Sequence, residues 1–294
     1  MKMKYISQIK SNLKQYKTIR TRQVSSHLLD GSYRSRYKGK SLNFDELREY
    51  VVGDDAKDVD WKASARSQKL LVKQYIAEKK HNIMLVPDTN KRMLADTKMQ
   101  QEKRETAILA AGTLAYLVWQ NGDEIGGIFH TQQSIQYVPF KTELMNIEMI
   151  LDAFYKNTTM DNHSNLNDVL DYLVHHLRKN MILVLVTDLW GIREISESLL
   201  KQLLTMNDIL VLCMEDAGLS GSTSGVYSLE QKDYLPCFFT KDKKLAAIYE
   251  ARQKEVYEEC VRKLKKYGIS YVMINQIEEV EEKIIELFTG KQYK

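Results

Sequence analysis

The sequence predicts an α/β protein: a doubly wound, mostly parallel sheet with helices on both faces, an N-terminal helix and a small β/loop extension. Three observations predict it. Two apolar runs end in a carboxylate, HNIMLVPD (81–88) and MILVLVTD (181–188), and read as buried strands. Strand runs alternate with stretches of helical periodicity from about residue 82 to residue 289, which calls for a sheet wound on both sides. The 294 residues, 44% hydrophobic and 28% charged, bury a full core without disulfides or metal staples.

Taken in order, residues 3–22 place Ile6, Ile9, Leu13 and Tyr16 at three- and four-residue steps with lysines between them. This is a basic amphipathic helix, whose apolar side docks on the rest of the protein or, alternatively, on a membrane surface. DGSYRSRYKGKSLNFDELREYVVGDD, rich in Gly, Ser and charge, reads as loops and short strands, and LLVKQYIAEKK (70–80) as an edge strand or hairpin arm. After the strand ending at Asp88, residues 100–120 form a helix with Ile108, Ala111, Leu114, Ala115 and Val118 on one face. NGDEIGGIFH and SIQYVPF are strands joined by the short TQQ, hence antiparallel. Helices at 142–155 and 166–179, the strand 181–188, a helix at 194–205 and a strand at 208–215 follow. GLSGSTSG (218–225) is a flexible loop by composition. A helix at 241–266, a strand at 269–274 and a helix at 277–289 complete the chain. The domain division is 1–24, 25–80 and 81–294. With the hairpin on one side of the first buried strand and MILVLVTD on the other, strand order reverses between Asp88 and Asp188, where such sheets bind ligands. Two acids there suit a hard cation such as Mg²⁺.

Composition excludes several classes. Cys213, Cys237 and Cys260 are far apart and form no CxxC pair, so they read as reduced thiols in a cytoplasmic protein. No apolar run reaches membrane-spanning length, and the opening MKMKYISQIKSNLKQYK lacks the apolar stretch of a signal peptide. The net charge of +4 hides an asymmetry: residues 1–40 hold eleven Lys or Arg against the single acid Asp30. Such an arm meets an acidic partner, a membrane surface or nucleic acid, or is a solvated face paired internally. Its aromatics, Tyr5, Tyr16, Tyr33 and Tyr37, are read as packing residues before base-stacking ones, which disfavours nucleic acid. YKGKS lacks the first glycine of a phosphate-binding loop, with Arg34 in its place, and no buried strand precedes it. His175 and His176 are adjacent on a helix and do not face one site. Ser32, Ser35 and Ser41 lack a nucleophile elbow.

The stretch SYRSRYKGKSLNFDELREYVVGDDAKDVDWKASARS, then KLLVKQY, then a strand ending in Asp, resembles the bacterial domain-of-unknown-function family 58. The matching residues are Phe44, Leu47, Arg48, Tyr50, Gly53, Asp54 and Asp55, followed by Val59, Asp60, Trp61, Ser64, Ala65 and Arg66. The resemblance implies a von Willebrand factor A-type fold after the motif, and a partnership with a MoxR-type AAA+ ATPase. It also implies a metal-ion-dependent adhesion site of pattern D-x-S-x-S, a later Thr and a last Asp. Here the pattern reads Asp88, Asn90 and Arg92, then Ser164, then Asp188. Both serines are replaced, and Arg92 repels a cation instead of ligating it. The site is degenerate, and Lys91 or Arg92 is expected to stand in for the metal.

GDDAKDVDWKASARS (53–67) packs four aspartates into its first eight residues. It has no EF-hand spacing, and no nucleophile or His lies nearby. It reads as a clasp in which Arg34, Arg48 or Arg66 pairs with Asp54 or Asp60 and Trp61 buries its ring, or as a surface that a partner reads. The expected function is a non-enzymatic adaptor that selects an unknown client for the ATPase. Two alternatives stand beside it. One is a metal-dependent hydrolase at Asp88, Asp188 and Ser164. The other is a binder of anionic membranes or nucleic acid through the basic N-terminus.

Overall fold

The computed structural model describes residues 3–15, 43–76, 81–177, 179–217, 227–228, 233–234 and 243–289. The chain divides into two compact units, residues 33–80 and residues 1–32 with 81–294.

In the larger unit the elements are α1 (Lys4–Gln15), then, beyond the smaller unit, β3 (Asn82–Pro87), α3 (Lys103–Gln120), β4 (Glu124–His130), β5 (Ile135–Lys141), α4 (Leu144–Asn157) and α5 (Leu166–His176). They continue with β6 (Ile182–Asp188), α6 (Leu189–Glu194), α7 (Glu197–Leu204), β7 (Asp208–Met214), the two-residue pair β8 (Tyr227–Ser228) and β9 (Asp233–Tyr234), α8 (Lys243–Lys266), β10 (Ser270–Ile274) and α9 (Val280–Thr289). The six-stranded sheet has the order β10-β7-β6-β3-β4-β5, parallel except for β5. In chain order this is 3-2-1-4-5-6 with an antiparallel third strand, a doubly wound sheet of von Willebrand factor A-like topology, and its strand order reverses beside β3 and β6.

Both faces of the central strands are apolar because both are covered. Met84, Val86, Leu183, Leu185, Val211 and Cys213 form one core with α5, α6, α7 and α8. The alternate residues Ile83, Leu85, Val184, Val186, Leu210 and Leu212 are buried too, and period-2 alternation turns them to the opposite face. There α3 packs on β4, β6 and β7 and is itself covered by α1, α4 and α9. That second cover explains why α3 is apolar almost all round and not along one stripe.

The first helix is part of this core. Ile6 and Ile9 are fully buried, and the N–H groups of Tyr5 and Ile6 donate to the buried Glu148 carboxylate of α4 at 3.0 and 2.9 Å. At Gly112 of α3 a Cβ would lie 2.5 Å from the Ile9 Cδ1 methyl and 2.8 Å from a Leu151 methyl, so a larger residue would push these side chains aside. The apolar side of α1 is therefore committed to α3 and α4, which removes it from the membrane-surface reading. Residues 16–22 of the expected helix, with Tyr16, lie outside the described residues. Elsewhere the helix expected at 194–205 is α7, and a further helix, α6, precedes it because the Asp188 carboxylate accepts from Gly191 N–H and caps a helix directly after β6. Cys213 and Cys260 are buried and free, and Cys237 lies outside the described residues. No described helix is long and apolar enough to cross a membrane.

The smaller unit is a hairpin of β1 (Asn43–Glu49) and β2 (Leu71–Ile76), whose connection carries a 3₁₀ turn (Ala56–Asp58) and α2 (Trp61–Ser67). Val59 adds a bridge to Val72. Helix α2 was not expected from its sequence.

Ile9→Ala should lower unfolding stability by about 2–5 kcal/mol, the cost of deleting a fully buried aliphatic side chain. Urea denaturation of the full chain measures it, and Lys10→Ala on the half-buried side of α1 serves as the control.

Candidate functional site

Three adjacent parallel strands bring three carboxylates to one edge. Asp88 follows β3, Asp188 ends β6, and Asp216 lies just past β7. The Asp88 N–H donates to Val186 O at 2.8 Å, which locks the first two strand ends together. Asp88 and Asp188 are buried, and Lys103, the first residue of α3, is 0% exposed among them. Its ammonium donates to Asp188 Oδ2 at 3.1 Å and pairs with Asp216 Oδ1. Sequence reasoning missed both Lys103 and Asp216. The signals were present: Lys103 continues the buried row Ala107–Ala111–Leu114–Val118 of α3, and Asp216 follows its strand much as Asp88 follows its own.

Arg92 supplies the second cation. Its guanidinium lies 3.7 Å from Asp88 Oδ2 and 3.7 Å from Asp188 Oδ1, and it forms a fork on Glu194 at 3.2 and 3.1 Å. Arg92 Nε is buried without a hydrogen-bond partner, so it acts on the aspartates by charge alone. Of the two expected stand-ins, Arg92 reaches the site. Lys91 contributes its backbone N–H to Asn162 O.

The other expected ligands are turned to internal bonds. Asn90 Oδ1 accepts from Arg92 N–H at 3.0 Å, and Asn90 Nδ2 donates to Ser164 O at 2.7 Å. Ser164 Oγ donates to Asp88 Oδ1 at 3.5 Å, and Thr187 Oγ1 to Asp88 Oδ2 at 2.8 Å. Asp188 Oδ1 accepts from Gly191 N–H at 2.8 Å. These residues do not fit Mg²⁺. The Asp88 and Asp188 carboxylate oxygens are already bonded, Asn90 offers its amide oxygen to backbone, and an ammonium occupies the charge-compensating position. Gly191 closes the floor of the site, since a Cβ there would lie 1.9 Å from Thr187 Oγ1.

The electrostatics divide the pair of aspartates. Burial, then the neighbouring Asp188 charge, pushes the Asp88 carboxyl above the usual range, against the pull of Arg92. Burial also pushes on Asp188, but Lys103 and Arg92 outweigh it and hold its carboxyl below the usual range. Burial lowers the Lys103 ammonium pKa, but Asp188 and Asp216 outweigh it and raise it, so Lys103 is charged at neutral pH.

The motif residues sit in the smaller unit. Arg48 makes a two-pronged pair with Asp54 at 2.8 and 2.6 Å, and Asp54 also accepts from Val51 N–H at 2.9 Å. The Arg48 hydrogen bonds hold the Asp54 carboxyl below the usual range. Gly53 takes a φ of +112° in the turn between them. Asp55 caps the 3₁₀ turn, accepting from Lys57 N–H. Asp60 caps α2, accepting from Lys62 and Ala63 N–H, and its ion-pair partner is Lys73 at 3.5 Å, not an arginine. Tyr50 is exposed, Arg66 is exposed, and Phe44 lies in β1. Arg34 and the Phe44 side chain lie outside the described residues. One expectation is overturned: Trp61 does not bury its ring but is 67% exposed. Capping by Asp60 starts α2 at Trp61 with Ser64 inward, where its Oγ accepts from Leu71 N–H, so the Trp61 side of the helix faces outward.

Residues 46–233 match the model of a family described as "Protein of unknown function DUF58". The chain belongs to the DUF58 family. This DUF58 protein is 25% identical over 211 residues to the uncharacterized proteins Mb1516 of Mycobacterium bovis and Rv1480 of Mycobacterium tuberculosis, covering 68% of this chain and 66% of each relative. It thus spans about two thirds of the length of the curated relatives it matches. Among solved structures it is similar to a conserved hypothetical protein, BatB, from Bacteroides thetaiotaomicron, at TM-score 0.43 and 13% identity over 71% of this chain and 98% of that one. A von Willebrand factor type A protein from Catenulispora acidiphila matches at TM-score 0.38 and 9% identity, over 74% and 43%.

Lys103→Met should cost about 3–5 kcal/mol at neutral pH, because it leaves buried carboxylates without their cation. The lowered Asp188 pKa contributes stability above the unfolded carboxylate range, lost as pH falls through its folded value. In the variant that contribution is gone and the acids protonate at higher pH. The gap between parent and variant should therefore shrink from about pH 7 towards about pH 4, as read by urea denaturation across that range. Trp61→Ala, by contrast, should stay within about 0.5 kcal/mol of the parent, as an exposed substitution.

Proposed function

We propose that this DUF58 protein is a non-enzymatic interaction module whose adhesion-type face works without a divalent cation. The observation that carries the reading is the position of Arg92. Its guanidinium is 24% exposed and links two buried aspartates to Glu194, which is half-exposed at the surface. Glu194 is the member of this cluster that water can replace most cheaply. A partner's carboxylate would take the Glu194 position on Arg92, as an acidic side chain would on a metal. Lys103 and the inner aspartates remain paired throughout and keep Arg92 oriented. In this reading the module selects a client for a MoxR-type AAA+ ATPase, and the ATPase remodels it. The partnership rests on the family resemblance and is an inference of that rank.

The hydrolase reading of Asp88, Asp188 and Ser164 is weaker on this geometry. Ser164 Oγ donates to an acid that is itself held by Thr187, and among the described residues no hydrogen bond joins a His to it, its chain neighbour His163 being exposed while Ser164 is buried.

Two measurements test the proposal. Calorimetry with Mg²⁺ and Mn²⁺ should give no binding heat for the parent. Asn90→Ser with Arg92→Ser should also give none while Lys103 remains on Asp188, and binding should appear only when Lys103→Thr is added. Tight metal binding by the parent refutes the metal-free face. In the second, an ATP-locked MoxR-type ATPase with its client is used to capture the parent and Arg92→Gln. Capture of the parent that is lost in Arg92→Gln, at unchanged melting temperature, supports the reading. Equal capture of both places recognition elsewhere and refutes it.

A further inference from the structure

A cavity of about 170 Å³ lies in the larger unit beside the second half of α1. Its walls are of two kinds. Leu13 of α1, Leu109 of α3, Ile277 of the 3₁₀ turn Ile277–Glu279 and Val280 of α9 are aliphatic. Asn12, Thr113, Glu278 and Glu281, from the same four elements, are polar. None of these residues belongs to the Arg92 site.

The polar residues lack partners that other acids of the unit have. The Glu148 carboxylate accepts from two amide N–H groups, and the Glu279 carboxylate accepts from Gln276 N–H at 3.3 Å. Glu281 Oε2, by contrast, is buried without a hydrogen-bond partner, and Glu281 has no ion pair among the described residues. Burial pushes its carboxyl above the usual range, and no cation pulls it back. Thr113 is only 6% exposed, yet its hydroxyl makes no hydrogen bond among the described residues. The Asn12 side-chain amide makes none either. Glu278 accepts from Gln101 Nε2 at 3.1 Å and has no cation beside it among the described residues. Acids in the first turn of a helix are ordinary, because the helix dipole favours them. A buried hydroxyl and a buried carboxylate oxygen left unbonded around one cavity are not.

We infer that this cavity binds a free primary aliphatic amine in its ammonium form. An ammonium brings three N–H donors. The Thr113 hydroxyl, the Asn12 amide oxygen and the Glu281 carboxylate are the acceptors offered to it, with the Glu278 charge beside them. The alkyl stem lies against Leu13, Leu109, Ile277 and Val280. A hard cation such as Mg²⁺ suits the cavity less, since it takes oxygen ligands on all sides and half of the lining residues are aliphatic. A single water, whose share of liquid volume is about 30 Å³, leaves most of the space unfilled and the acids uncompensated. The same ammonium chemistry has a second source in the lysines of residues 16–42, which follow α1 and lie outside the described residues.

The probe is n-butylammonium chloride, titrated into the methyl-labelled full chain and followed by NMR. Ammonium chloride supplies the charge without the stem, and n-butanol the stem without the charge. The parent should show saturable shifts at the methyl groups of Leu13, Leu109, Thr113, Ile277 and Val280 with n-butylammonium alone. Glu281→Gln should weaken binding about tenfold, the loss of a charged hydrogen bond. Thr113→Val should weaken it about fivefold, the loss of a neutral one. Melting temperature without amine confirms that both variants fold. Absence of saturable shifts in the parent overturns the inference. So does equal affinity in the parent and Glu281→Gln, or an equal response to n-butanol, since the cavity would then be an apolar space without charge selection. Lys17→Gln with Arg20→Gln and Arg22→Gln separates the two sources. Affinity unchanged in that variant supports a free amine. Affinity that appears only in that variant gives the cavity to the chain's own basic residues and overturns the inference.

Discussion

The pairing of Lys103 with Asp188 and Asp216 is the constraint on which the edge of the sheet depends. Three strands end side by side, and each presents a carboxylate to a volume that excludes water. Buried acids at this spacing repel unless a cation lies among them. Here the cation is covalently part of the chain and arrives from the first turn of α3. That position is unfavourable for a lysine on its own helix, since it adds positive charge to the positive end of the helix dipole. The acids at the strand ends more than offset it. The ammonium therefore fixes where α3 begins, and α3 in turn is the helix on which α1, α4 and α9 pack.

This arrangement separates two layers of charge. The inner layer is Lys103 with Asp188, both closed to solvent, and Asp216, whose side chain is 15% exposed; it sets geometry. The outer layer, Arg92 with Glu194, reaches water and is exchangeable. Asp88 belongs to both. It is hydrogen-bonded by Thr187 and Asn90 from within and faced by Arg92 from without. Because its carboxyl is shifted upward by burial and by Asp188, the charge that Arg92 balances is sensitive to anything that moves Arg92.

Much of this was legible in the sequence, for identifiable reasons. The buried strands HNIMLVPD and MILVLVTD announce themselves by apolar runs, and the hairpin by its short connection. The switch point between Asp88 and Asp188 followed once the hairpin was placed on one side of the first strand. Arg92 was legible because it replaces a ligand in a fixed pattern. Lys103 was not, because a lysine at the start of a helix is ordinarily solvated, and only the phase of the buried row in α3 points it inward. The acid-rich stretch misled in one respect. Asp60 was read as the partner of an arginine, but it pairs with Lys73 and its carboxylate also caps a helix that the sequence disguised, and this capping turns Trp61 outward. Arg48 and Asp54 are near in sequence and of opposite charge, so their pairing could be read directly.

The docking of α1 has a consequence for the order of events during synthesis. The amides at the start of this helix are satisfied by Glu148, which lies more than 140 residues later in the chain. At ordinary elongation rates of roughly 5–20 residues per second, the helix waits on the order of 10 s for its partner. For that interval a basic segment with Ile6 and Ile9 uncovered trails outside the ribosome. The helix is thus within reach of chaperones for that interval, and its docking is completed only after α4 has emerged.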